Sequence, residues 1–294
     1  MADTIYDISF DTLLLSQVLS VDIQSNVGLY KGRVSGGLDP AFIAVNKAEP
    51  RVQFKTGDLA TLLGGIDLTT GLKVGGHGGA LIPFNERDGG GTFSAGAATI
   101  LSATQGFAHI MSIDAQQDSE EGAVAMVEFI PTWDGSTKPI ESTDEETLSA
   151  ESFVSCFALG PSKIGTTQIA GIVGSSVKPG LGLLLKQYQG NTFVGHVYIQ
   201  LRDPQFVFTF EDMASVNAFG AMYGAIGSTA TQFFRKRADG GTYVANGTGQ
   251  HISFTLSGGL SVTDSISGNG QDNTQKQITV HGKTLSKSTT ATIS

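Results

Sequence analysis

Gly282-Lys283-Thr284 carries the residue types that close a phosphate-binding loop, where backbone amides and a lysine cradle anionic oxygens. That loop needs another glycine five positions before its last one, and Gln277 stands there. It also needs a following helix, and only the polar stretch Ser286 to Ser294 remains. Gly268-Asn269-Gly270-Gln271-Asp272-Asn273 lacks the third glycine of a dinucleotide fingerprint and reads as a hairpin turn. His77, His109, His196, His251 and His281 are scattered, with no pair at the i, i+4 spacing of a helical metal site. Several alternate with apolar residues and are read as surface or hydrogen-bonded strand histidines. No G-x-S-x-G elbow occurs. Cys156 lies in the apolar run Phe153 to Leu159 and reads as a small buried hydrophobe.

The acidic clusters Asp118-Ser119-Glu120-Glu121 and Asp144-Glu145-Glu146 lack the alternating oxygen ligands and central glycine of a calcium loop. Carboxylate pairs for glycoside hydrolysis can lie far apart in a sequence, and nothing singles one out here. The sequence therefore assigns no catalytic residue, no metal ligand and no cofactor. A net charge of −9 with pI near 4.9 argues against a phosphate-binding face. The one basic cluster, Arg235-Lys236-Arg237, reads as a solvated strand end. Asn246-Gly247-Thr248 matches a glycosylation acceptor but reads as turn chemistry. A single cysteine excludes an internal disulfide. An acidic N-terminus and the lack of any apolar run near 18 residues lead to the expectation of a soluble, unprocessed, cytoplasmically made chain without a membrane partner.

With local chemistry so sparse, the informative signal is repetition. Pro50, Phe54, Asp58 and Ala60 recur as Pro204, Phe208, Asp212 and Ala214, an offset of 154. Phe84, Arg87, Gly90-Gly91-Thr92 and Ala95 recur at an offset of 150 as Phe234, Arg237, Gly240-Gly241-Thr242 and Ala245. Gln117-Asp118 over Gln271-Asp272 returns to 154, which aligns Val124 with Ile278 and Met126 with Val280. The four extra residues of the first copy fall in the glycine-rich stretch Ile66 to Pro83, and the second copy recovers them near Asn246 to Gly249. Length changes confined to turns are what a tandem duplication produces.

Each copy reads as mainly β with one short helix. Val52 and Phe54 share a strand face, as do Phe206, Phe208 and Phe210. The period then lengthens: Leu59, Leu62, Leu63 and Ile66 predict an amphipathic helix, with Gly64-Gly65 as its stop. Its counterpart is predicted from Glu211 to Tyr223, with Met213 and Val216 replacing Leu59 and Leu62. Val197-Ile199-Leu201, Ile252-Phe254-Leu256 and Ile278-Val280 predict further strands, and the segment lengths favour antiparallel sheets. The fold class is thus mainly β (α+β): a duplicated β-sandwich or barrel module, two packed antiparallel sheets flanked by one short α-helix. The first module is assigned to residues 1–135, an acidic linker to 136–154 and the second module to 155–294. The stretch Ser286 to Ser294 reads as a final strand or as an arm ordered on assembly.

This order of β segments, a Pro-x-strand-Asp-(Leu/Met)-Ala opening to one short helix, and a Gly-rich loop before further strands resembles the tail tube proteins of long-tailed bacteriophages, once per copy. The resemblance implies modules of two packed sheets and a helix, assembled six to a ring around a DNA channel. Two fused modules imply homotrimeric, pseudo-hexameric rings stacked into a tube. It further implies contacts with tape-measure and tail-completion proteins, transient non-specific passage of DNA, and a virion location. Under it, Asp118, Glu120, Glu121 and Asp272 are candidates to face the lumen, where carboxylates would repel phosphate; an ordinary solvated hairpin is the alternative. Asp67, Leu72, Lys73, Val74 and His77, in the longer glycine-rich loop, are candidates for contacts between subunits or rings, ordered only on stacking. Rival readings are another virion or surface β-sandwich, for decoration or carbohydrate binding, and a glycan hydrolase with dispersed carboxylates.

Overall fold

A computed structural model describes residues 2–5, 7–76, 78–87, 99–144, 155–165, 167–187, 190–211, 223–225, 229–240, 242–267 and 275–293. The first half begins with β1 (Ala2–Ile5), β2 (Ile8–Phe10), β3 (Leu13–Leu15) and β4 (Val18–Gln24). A hairpin of β5 (Val27–Gly32) and β6 (Phe42–Ala48) follows, then β7 (Arg51–Thr56) and α1 (Leu59–Gly65). Next come β8 (Leu72–Val74), β9 (Ala80–Arg87), β10 (Thr99–Ala103), β11 (Gly106–Gln116), β12 (Val124–Pro131) and β13 (Glu141–Asp144). The second half holds β14 (Phe157–Ile164), β15 (Thr167–Ile169), β16 (Ile172–Lys178) and a hairpin of β17 (Leu181–Gln187) and β18 (Val194–Arg202). It continues with β19 (Gln205–Phe210), β20 (Tyr223–Ala225), β21 (Ala230–Lys236), β22 (His251–Ser257), β23 (Leu260–Ser267), β24 (Gln275–His281) and β25 (Thr284–Ala291).

The protein is mainly β, with antiparallel strand pairings and one α-helix among the described residues. Its spine is a ten-stranded sheet, β20-β23-β24-β19-β16-β11-β12-β7-β4, with β8 added on β11. Read from each half's first strand, the order is β4-β7-β12-β11-β8 and then β16-β19-β24-β23-β20. The outer sheets also correspond: β3-β2-β9-β10-β13, with β1 on β9, matches β15-β14-β21-β22-β25. Registers recur too. Val18 faces Thr56 and Ile172 faces Phe210, a shift of 154 at both partners, with a bulge after the first residue in each ladder. Bulges after Gly28 and Gly182, and after Ile110 and Thr263, fall on matching rungs. A bulge bends its strand and sharpens the twist, so matching bulges give the two halves matching curvature.

The layers meet through aromatic packing. Phe10, on the outer sheet, lies 5.7 Å from Phe54 and 5.1 Å from Phe129 on the spine. In the second half Phe206, Phe208 and Phe210 line one face of β19, all buried. Val52, Phe54, Leu59 and Leu62 are buried as the periodicities predict. Met213 and Val216 lie outside the described residues. Asp58 is the N-cap of α1, accepting from the Thr61 amide at 3.3 Å, which satisfies one of the free amides of the first turn.

Several expectations are corrected. Residues 141–144 are not linker: they form β13, paired with β10 as the edge of the first outer sheet. Tyr223 opens a strand rather than ending a helix. Of the two readings of the stretch from Ser286, the final strand is the one found: residues to Ala291 belong to β25, paired with β22. The last spine strand aligns differently as well. Phe54 faces Val127 and Phe208 faces Ile278, so Ile278 corresponds to Val127 and not Val124, and Val280 corresponds to Phe129 and not Met126. An odd shift of three residues moves the side chains to the opposite face, and Val127 and Phe129 are the buried ones. Cys156 is half-buried and accepts from Gln17 Nε2 at 3.8 Å, bridging the two halves.

The two halves are not separate bodies. β11 pairs with β16, setting Ile113 opposite Val177 and Ala115 opposite Ser175. The Gln117 amide donates to the Val173 carbonyl at 2.9 Å and the Ala123 amide to the Phe157 carbonyl at 2.8 Å. Gly122 is required at this junction: its φ is +76° and an added Cβ would sit 2.4 Å from the Phe157 oxygen. Lys287 of the second half donates to the carbonyls of Leu63 and Ile66, the latter at 3.1 Å, at the C-terminal end of α1 in the first. A cation there satisfies carbonyls left free by the helix and meets the negative end of its dipole. Lys287→Met, which keeps the apolar stem, is expected to lower global stability by about 1.5 kcal/mol, read as a shift in urea midpoint without a change in slope.

Candidate assembly interface

The joint between the halves is heterologous: the last long strand of the first spine unit receives the first strand of the second. Only the C-terminal part of β11 makes this joint, because its N-terminal part is taken by β8. In the second half β20 covers the N-terminal part of β23 in the same way, pairing Tyr223 to Ala225 with Val262 to Leu260. Among the described residues the C-terminal part of β23 has no neighbour on that side. At the far end of the spine, the outer edge of β4 likewise has no pairing partner among the described residues. Among the described residues the spine therefore has one strand joint between its halves and two strand edges, on β4 and on the C-terminal part of β23, without a neighbour.

The side chains at these edges match. Ile113 and Val177, opposite one another in the made joint, are both 0 % exposed. Their counterparts by register are Ile266 on β23 and Ile23 on β4, which are 54 % and 36 % exposed. Exposed β-branched side chains on open strand edges invite strand pairing, which folded proteins normally block with charge, proline or a covering element. Neither edge has a proline, and Ile23 and Ile266 leave apolar surface accessible at the ends of the sheet.

The spine face turned away from the core carries Asp22, Gln53, Lys55, Asp114, Lys178 and Gln277, which occupy the alternate positions of their strands. It bears both signs of charge rather than acid alone. In the first half it also holds a buried ionic cluster. Glu128 accepts from Arg51 at 3.1 Å, from Gln53 Nε2 at 3.0 Å and from His109 Nε2 at 3.1 Å. Burial by itself would raise the Glu128 pKa, but the hydrogen bonds from His109 and Gln53 and the charges of Arg51 and His109 outweigh it and hold the carboxyl down to about 2. The counterpart of Glu128 is Thr279, opposite Val207, so the cluster belongs to the first half alone.

Asp118, Glu120 and Glu121 are exposed and lie together in the turn joining β11 to β12, at the rim of the spine rather than across its face. Asp272 lies outside the described residues. The Ile66 to Pro83 stretch is folded onto its own module. The Asp67 carboxylate accepts from the amides and hydroxyls of Thr69 and Thr70 at 2.7–3.0 Å, closing a turn. Partial burial raises the Asp67 pKa, and these hydrogen bonds more than offset that, bringing it to about 2. Leu72, Lys73 and Val74 are β8, paired with Ala108, Phe107 and Gly106, and Val74 is buried. Its described residues thus pack within their own module; His77 lies outside the described residues. Sequence reasoning missed Ile23, Ile266 and the Glu128 cluster. The signal available was the recurrence of an apolar residue at Ile23 and Val177, 154 apart.

A cleft of about 570 Å³ opens at the junction of the halves, between Gln117, Leu159, Gln168 and Asn246. There the Arg235 guanidinium stacks on Tyr243 at 4.2 Å and donates to Asn246 Oδ1 at 3.3 Å. Its described lining includes no carboxylate, histidine or thiol. No group of three or more metal-ligating side chains occurs among the described residues, and no described helix is long and apolar enough to cross a membrane. Compared with known proteins, the chain matches no family model and no curated protein.

Proposed function

We propose that this chain is a structural subunit whose copies join edge to edge into closed rings, in the manner of a bacteriophage tail tube protein with two fused modules. The observation that carries the reading is the joint between β11 and β16 together with the open edges that would repeat it. A heterologous contact repeated with a constant rotation closes into a ring. Three chains supply six near-equivalent units, the number that the tail tube resemblance implies. The continuous spine would form the wall, its polar face turned inward and its outer sheets braced behind it. Such a wall is lined with polar side chains of mixed charge, without the large lysine and arginine excess that would hold passing DNA. Stacked rings would make the tube through which DNA leaves the virion, in contact with tape-measure and tail-completion proteins.

Electron microscopy of the purified full chain at increasing concentration tests this directly. Rings or hollow filaments with threefold and near-sixfold symmetry are expected. A chain that stays monomeric at every concentration overturns the proposal.

A further inference from the structure

The two long hairpins occupy corresponding places, yet only one is seated. In β17 and β18 the register runs from Leu181 opposite Arg202, and in β5 and β6 from Val27 opposite Ala48, a shift of 154 at both partners. The tip of the second hairpin rests on the first half. The Ala48 amide donates to the Thr192 carbonyl at 2.8 Å, the Trp133 amide donates to the Val194 carbonyl at 2.7 Å, and Phe193 bridges to Ala48. Seat and tip are accordingly buried, at Ala48, Thr132 and Val194.

Among the described residues nothing supports the tip of the first hairpin in this way. Leu29, Tyr30, Phe42, Ile43 and Val45 are all exposed, on both faces of a two-stranded ribbon, and Leu38 at its tip is 89 % exposed. An isolated hairpin is marginally stable in water, and an apolar one exposed on both faces is a contact surface without its partner. The counterpart of its missing seat is present and open. Arg202 corresponds to Ala48 and Lys283 to Thr132, and both are exposed. The tip residue corresponding to Phe193 is Asp39, also exposed. The apolar pair Phe193 and Ala48 is thus replaced by Asp39 and Arg202, which have opposite charges and make no ion pair with any described residue of their own chain.

We infer that the hairpin of residues 27–48 docks in trans on the second half of a neighbouring copy, setting Asp39 beside that copy's Arg202. This rests on the ring proposed above and deepens it: each boundary between chains is held by an edge-to-edge strand joint and by a hairpin strap. The boundary inside the chain carries the same two devices. Charge replaces the apolar contact where the partner is a separate molecule. Complementary charge steers the hairpin to its seat.

Asp39→Cys combined with Arg202→Cys, in a Cys156→Ser background, tests the contact, since bridged strand positions bring Cα atoms within disulfide range. Under mild oxidation the double variant is expected to run as covalent multimers on a non-reducing gel, while each single variant stays mostly monomeric. Charge reversal provides the second arm. Asp39→Arg or Arg202→Asp alone is expected to raise the concentration needed for assembly on the order of tenfold, and the two reversals together to restore most of it. Rings that form normally while the double-cysteine chain stays uncrosslinked, with reversals that have no effect, would overturn the strap but leave the ring reading standing. A chain that never assembles overturns both.

Discussion

Ile23→Lys is expected to leave the chain folded and to raise the concentration at which it self-associates by two orders of magnitude or more. Ile23 is only partly buried in the single chain and lies at an open edge, so the fold loses little by the change. In the proposed joint it meets Ile266, as Val177 meets Ile113 inside the chain. Burying the two apolar side chains against each other contributes about 3 kcal/mol, a factor on the order of 100 in association. An ammonium group there would be buried without a partner, which adds to the loss. Ile266→Lys should behave alike from the other side of the joint. Asp22→Ser, one residue away on the opposite strand face, should have little effect, because adjacent strand residues point to opposite sides. Sedimentation velocity over a concentration series, paired with thermal melting of the monomer, checks all three. Wild-type assembly by Ile23→Lys would rule out pairing at this edge.

Glu128→Ala is expected to destabilise the fold by about 2–3 kcal/mol, reduced from the usual cost of breaking a buried pair because Arg51 keeps about a third of its side chain in water. That corresponds to a fall of roughly 6 °C in melting temperature. The loss should depend on pH with a defined sign. The Glu128 carboxyl titrates near 4.5 when unfolded and at about 2 when folded, so its ionised form is favoured by the fold. Its contribution is complete above pH 4.5 and disappears as pH falls through 4.5 toward 2. Wild type and variant should therefore differ most at neutral pH and converge near pH 2. A difference that stays constant over that range would place the stabilisation in packing rather than in the ionic cluster.

What could be read without coordinates was whatever the chain writes locally. Alternation around Val52, Phe54, Phe206 and Phe208 fixed strand faces because the side-chain period of a strand is two. The shift to Leu59, Leu62, Leu63 and Ile66 fixed the helix because its period is 3.6, and all four are buried. The 154-residue recurrence persisted into strand registers and bulges, since pairing partners that shift together keep the same ladder. Alignment of the final spine strand failed where the local signal is ambiguous. Val124, Ala125, Met126 and Val127 are apolar at both parities, so only the ladder to Phe54 decides which face is core. The tertiary structure alone decided that the two spines fuse through β11 and β16, that residues 141–144 belong to an outer sheet, and that Glu128 draws together Arg51, Gln53 and His109. Sheet edges and buried charges depend on which distant strands become neighbours. That choice is made by long-range pairing, on which spacing along the chain has no bearing.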